Sequence, residues 1–189
     1  MLANSQTQYG WTAIVLHWAM ALLLFGQWTL GQTMVRISDQ RLAFDLFQWH
    51  KSFGLLVLAL AILRLAWRLA NPRPLLPAGT PRLEQAAAAS TRRALYALMI
   101  LLPLSGWALV SASVLEIPTL AFYLFLVPHL PLPKSEAAEA AWTLVHQVLG
   151  WLMFGLVFVH VLAALRHHFL LRDRVLVRML RPGTHLTHE

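Results

Sequence analysis

The chain of 189 residues has no cysteine. That excludes disulfides, thiolate-held iron–sulfur clusters and covalently attached c-type haem. Charge is also scarce. Only 12% of residues are Asp, Glu, Lys or Arg, against about a quarter in soluble domains. Hydrophobic residues make up 58% of the chain, and mean hydropathy is +0.59. A single membrane domain over residues 1–189 is expected. The first residues, Met1-Leu-Ala-Asn-Ser-Gln-Thr-Gln, carry no basic charge. The apolar run after them is too long for a cleaved signal core, so it reads as a retained first span.

Four segments reach the roughly 20 residues needed to cross a bilayer: about 11–35, 49–69, 95–115 and 142–165. Lipid offers no hydrogen-bond partner to an open sheet edge, so these spans are expected as helices. The fold class is an all-α integral membrane protein, a four-helix transmembrane bundle. Trp11, Trp49, Trp67 and Trp142 fall near span ends, where aromatic belts form. Prolines and a glycine mark the stretch 71–82 as a loop. Residues 117–132 are apolar but interrupted by Pro118, Pro128 and Pro131. They are too short to span and are expected as a helix or loop on the membrane surface, either a lid over a site or a plain connector.

The formal net charge of +7 is unevenly placed. Arg73, Arg82, Arg92, Arg93, Arg166, Arg172, Arg174, Arg178 and Arg181 lie in or beside the second link and the basic tail 166–189. The other two links hold Arg36, Arg41, Lys51 and Lys134 against Asp39, Asp45, Glu116, Glu136 and Glu139. The positive-inside rule then makes both termini cytoplasmic. The excess charge is a topology signal with a secondary affinity for anionic lipid heads, not a nucleic-acid footprint.

Against this apolar background four histidines stand out: His17, His50, His146 and His160. His146 and His160 are fourteen residues apart, a separation about 40° short of four helical turns with a rise of about 21 Å. One helix thus offers two imidazoles on one face, near opposite sides of a bilayer. Depth selects the partners: His17 with His160, and His50 with His146. Zinc prefers more ligands, often carboxylate or thiolate, and no Asp or Glu lies inside the four spans. Two imidazoles in apolar surroundings suit haem iron, whose macrocycle supplies four further nitrogens. A metal transporter is the more distant alternative, because transport paths usually carry carboxylates.

Several residues fit that picture. Gly54 and Gly150 follow His50 and His146 by four, and Gly31 follows His17 by fourteen. Each would present bare backbone to a flat macrocycle, or serve as plain helix packing. Arg64 follows His50 by fourteen. It would either face the interior and pair with a propionate or snorkel to the interface. Lys51 and Arg68 are weaker candidates for the same pairing. His167 and His168 sit beside arginines and are expected in solvent. His129, His185 and His188 join no constellation, and no catalytic acid or base stands out.

With these residues placed, the chain resembles the bacterial cytochrome b561 family. The matching stretches are Leu16-His-Trp, Trp49-His-Lys-Ser-Phe-Gly, Leu63-Arg-Leu, Leu102-Pro-Leu-Ser-Gly, Val145-His-Gln-Val-Leu-Gly, Val159-His, Arg166-His-His-Phe and Arg178-Met-Leu-Arg-Pro. They cover nearly the whole chain. The third span carries no histidine, where some relatives have extra ones. The resemblance implies two b-type haems, each held by two histidines, and electron exchange with ubiquinone in the bacterial inner membrane. One branch of similar size oxidises superoxide at the periplasmic face and passes the electrons to ubiquinone. Other relatives are cytochrome subunits anchoring a hydrogenase or a periplasmic dehydrogenase.

Overall fold

The computed structural model describes residues 1–72, 74–75 and 79–181. Expectations for Arg73, for 76–78 of the second link and for the tail beyond 181, with His185 and His188, lie outside the described residues. Four long helices form the body: α1 (Trp11–Met34), α2 (Gln40–Ala70), α3 (Arg82–Ala112) and α4 (Glu136–Phe169). All four are long and apolar enough to cross a membrane. Two short strands, β1 (Thr119–Ala121) and β2 (Phe125–Val127), lie between α3 and α4, and a 3-10 turn covers Val177–Met179.

The helices outrun the expected spans, chiefly at their N-terminal ends: α2 begins at Gln40, α3 at Arg82 and α4 at Glu136. Hydropathy marks only the part that would sit in hydrocarbon, whereas caps set where a helix starts. Asp39 caps α2 by accepting from the Arg41 and Leu42 amides, and Ser135 caps α4 by accepting from the Ala138 amide.

Met20, Val57, Ala61, Leu98, Met99 and Met153 form the buried core. Fully buried Ala61 and Ala112 allow close backbone approach, which is how helices associate where lipid removes the hydrophobic drive. α1 packs on α2, α2 on α3 and α3 on α4, while α4 makes no comparable approach to α1 or α2. The backbones are therefore parted along one seam, which Trp28 of α1 bridges to Trp151 and Phe154 of α4. A cavity of about 1820 Å³ runs through it. Typical single-ligand pockets hold about 300–1,000 Å³.

Residues 117–132 are not a surface helix but a docked β-hairpin. β1 and β2 pair antiparallel with Ala121 opposite Phe125. The Leu124 amide donates to the Ala121 carbonyl, and both central residues, Phe122 and Tyr123, have positive φ. Such φ values cost a non-glycine residue roughly 1–2 kcal/mol each. Docking offsets that cost. Gln48 and Ser52, both buried, hold the hairpin to α2: Gln48 Nε2 donates to the Pro118 carbonyl, its Oε1 accepts from the Leu120 amide, and Ser52 Oγ accepts from the Phe122 amide. Phe122 packs on Trp49 and Phe53, and the Tyr123 hydroxyl donates to Asp45.

The opposite end of the bundle, where α1 begins and α4 ends, is closed by chain segments. Trp18 Nε1 donates to the Met179 carbonyl, Arg178 to the Leu75 carbonyl, and the Leu75 amide to the Gln6 carbonyl. Trp67 does not join an outward belt, because its indole nitrogen is buried and lacks a partner among the described residues.

Candidate metal centres between the helices

The four span histidines meet in two pairs across this seam. At the terminal end, His17 of α1 faces His160 of α4 with ring centroids 6.2 Å apart. At the hairpin end, His50 of α2 faces His146 of α4 at 6.1 Å. A metal between two imidazoles needs about 2.0–2.1 Å per bond, and about 1.1 Å more separates each nitrogen from its ring centre, giving about 6.2–6.4 Å. The two ring-centre separations are close to that span.

His146 is positioned by α3. Its Nδ1 lies 3.2 Å from the Leu102 carbonyl and 3.0 Å from Ser105 Oγ. Ser105 Oγ donates its own proton to the Leu102 carbonyl, so both neighbours accept from His146 Nδ1–H. That tautomer leaves the Nε2 lone pair free to bind a metal, an orienting contact typical of ligand histidines. Gly106 makes the room: a Cβ there would lie 3.0 Å from His146 Cε1. Pro103, inside α3, marks the same turn.

His50 is set from α1. A Cβ at Gly31 would lie 3.3 Å from His50 Cε1. Gln27 Nε2 donates to the His50 carbonyl at 2.8 Å. The His50 Nδ1 is buried and without a partner among the described residues, an orphan that a protein interior does not usually tolerate. At the other pair, Arg64 donates to His17 Nδ1 at 2.8 Å, and its guanidinium lies 5.7 Å from the Tyr96 ring. Arg64 therefore turns inward and does not snorkel. Arg68 stacks on the other reach of Tyr96 at 5.0 Å.

Gly54 and Gly150 line the cavity, and a Cβ at Gly150 would meet nothing within 4 Å. Lys51 also lines it, but its ammonium donates to the Pro118 carbonyl at the hairpin end. It is thus far from the partner expected for Arg64. His167 is not in solvent: its ring is clamped between Glu84 and Asp173. His168 contacts only Phe169 in ring geometry. Gln27, Ser105 and Gly106 carried no assignment from sequence. The Leu102-Pro-Leu-Ser-Gly stretch was the one local signal that could have pointed to two of them.

Among the described residues no group of three or more His, Cys, Asp or Glu could hold a metal ion. A metal at either pair would take its remaining ligands from a non-protein group. The gap widths, the orphaned His50 nitrogen and the glycine-lined seam fit a planar tetradentate macrocycle.

The chain is a multi-pass membrane protein built as a four-helix electron-transfer scaffold. The profile of the prokaryotic cytochrome b561 family matches residues 8–182. The chain belongs to that family, which implies b-type haem. It is 32% identical over 179 residues to "Cytochrome b561 homolog 2" of Escherichia coli K12, covering 94% of this chain and 93% of that one. It is 28% identical to "Probable superoxide oxidase CybB" of Yersinia pestis, covering 92% and 96%. A third relative, "Cytochrome b562" of Cereibacter sphaeroides, is 29% identical, covering 89% and 92%.

Proposed function

We propose that this protein is a two-haem cytochrome b that carries single electrons across the bacterial inner membrane from a small periplasmic donor, superoxide, to ubiquinone. The observation that carries this reading is the pair of ring separations, 6.2 and 6.1 Å, at two depths of one cavity. His17 with His160 and His50 with His146 are the ligand pairs. When bound, b-type haem supplies a reversible one-electron carrier at each pair.

The chain's own residues do the rest. Two histidines at each pair would hold the group from both sides and would leave a donor no protein-free position at the metal. Gly31, Gly54 and Gly150 keep those faces clear. The fourteen-residue interval on α4 sets His146 and His160 about 21 Å apart along the helix axis. Arg64 adds a cation beside His17. The hairpin end, where Lys51 lines the cavity, faces the periplasm in this reading, and the arginine-rich end with both termini faces the cytoplasm. The hairpin-end links sum to four basic and five acidic residues, so steering of an anion rests on Lys51 locally and not on net charge. The name of the Yersinia pestis relative favours superoxide as donor.

Stopped-flow mixing of the purified oxidised protein with superoxide, with and without a short-chain ubiquinone, tests this reading. Reduction approaching the roughly 10⁸–10⁹ M⁻¹s⁻¹ of diffusion control, followed by quinone-dependent reoxidation, is expected. Reduction only in the presence of a dehydrogenase or hydrogenase partner would replace it with an anchoring-subunit role.

A further inference from the structure

Beyond the two pairs, α4 carries a third histidine on the same face. His167 follows His160 by seven residues, about 20° short of two turns and about 10.5 Å further along the axis. Its ring is engaged on both sides. Nδ1 lies against Asp173 Oδ2, and Nε2 lies 3.0 Å from Glu84 Oε1. The ring is only 16% exposed. Glu84 comes from the first turn of α3, Asp173 from the segment after α4, and Arg166 of α4 reaches Glu84 at 3.3 Å. Partial burial works to raise the Asp173 carboxyl, but the hydrogen bond from His167 and the Val175 amide, with Arg178 nearby, hold it below its usual range.

The chemistry of this triad is constrained. An ionised Asp173 can only accept, so Nδ1 carries a proton and the ring is oriented by that bond. An oxygen of Glu84 lies 3.0 Å from Nε2 of His167, so a carboxyl and an imidazole, both able to exchange a proton, are in direct contact. Glu84, His167 and Arg166 all line the terminal end of the cavity, which also contains Tyr96, Arg64 and the His17–His160 pair. A contacting carboxyl–imidazole pair therefore lines the terminal end of the cavity.

We propose that the His167–Glu84 pair is the proton donor to a quinone seated at the terminal end of this cavity. The proposal rests on ubiquinone as the acceptor. Conversion of one quinone to one quinol takes two electrons, delivered singly from two donor molecules, and two protons, one to each carbonyl oxygen. The His167–Glu84 pair hands over one proton per electron. It is refilled from water at Glu84, whose side chain is 27% exposed. Asp173 is a positioning residue that fixes the ring so that Nε2 faces Glu84, the member of the pair that passes the proton to the quinone.

The test compares His167→Gln and Glu84→Gln with the unaltered haem-loaded protein. Each is reduced with dithionite, freed of excess reductant and mixed with short-chain ubiquinone or with ferricyanide, a one-electron acceptor that takes no proton. Both variants should reoxidise with quinone about 10²-fold more slowly, the scale of general acid catalysis, and with ferricyanide at the unaltered rate. A second readout needs no turnover. Ubiquinone labelled with ¹³C at its carbonyls and bound to the oxidised protein should show a carbonyl stretch shifted to lower wavenumber, and His167→Gln should return it to the free value. Equal slowing with both acceptors, or an unshifted carbonyl in the unaltered protein, overturns the proposal. Variants that reduce quinone at the unaltered rate overturn it while leaving ubiquinone as acceptor. Failure of the unaltered protein to reduce any quinone removes the acceptor reading itself.

Discussion

Gly106 of α3 and His146 of α4 are fitted to each other so closely that a Cβ on the glycine would lie 3.0 Å from the imidazole Cε1 and 3.3 Å from Nδ1. The ring cannot simply retreat, because Leu102 and Ser105 hold its Nδ1. Gly106→Ala should displace His146 and empty the hairpin-end site. Pyridine haemochrome assay should then show haem content falling to about half. Gly155→Ala, where a Cβ meets open space, should leave both sites filled.

The two pairs across the seam act as separate units, about 21 Å apart in depth. His50→Ala and His146→Ala should each remove the same haem, and the double variant should remove no more. His17→Ala and His160→Ala should together define the other. Two haems retained in His50→Ala would show the pairing to be wrong.

Arg64 stands beside the terminal-end pair, 2.8 Å from His17 Nδ1. A positive charge favours the reduced form of a nearby one-electron carrier. Arg64→Gln should therefore lower the midpoint potential of the terminal-end haem, by on the order of 50 mV, where 59 mV is a tenfold change for one electron. The hairpin-end potential should stay fixed. Potentiometric titration resolves the two.

The hairpin is held to α2 by buried side chains. Gln48 is fully buried and serves both the Pro118 carbonyl and the Leu120 amide. Gln48→Ala leaves the Leu120 amide without its acceptor, at about 1–3 kcal/mol, while the Pro118 carbonyl keeps Lys51. Hydrogen exchange should accelerate at the Leu120 and Phe122 amides while the helix interiors stay protected.

The histidine geometry was legible because it depends on helical period and on hydropathy. Fourteen residues bring His146 and His160 to one face wherever α4 packs, and the positive-inside rule sorts the depths. The hairpin was not legible. A turn of this kind normally announces itself with Asn or Gly at the positions of positive φ, and here they are Phe122 and Tyr123. Their strain is tolerated only because Trp49, Phe53, Asp45 and Ser52 receive them. His167 was misplaced in solvent for a related reason. Its carboxylates, Glu84 and Asp173, belong to the start of α3 and to the segment after α4, and no local spacing reveals that they converge.

The sequence by itself determined four spans and which histidines meet in pairs, because lipid leaves the backbone few options and a helix repeats every 3.6 residues. Tertiary structure alone decided that α4 stands away from α1 and α2 and leaves a seam. It also decided that Gly106, Ser105 and Leu102 orient His146, and that Arg64 turns toward His17. Those contacts join different helices. They are set by how side chains of particular size fill the space between packed elements, which no single helix encodes.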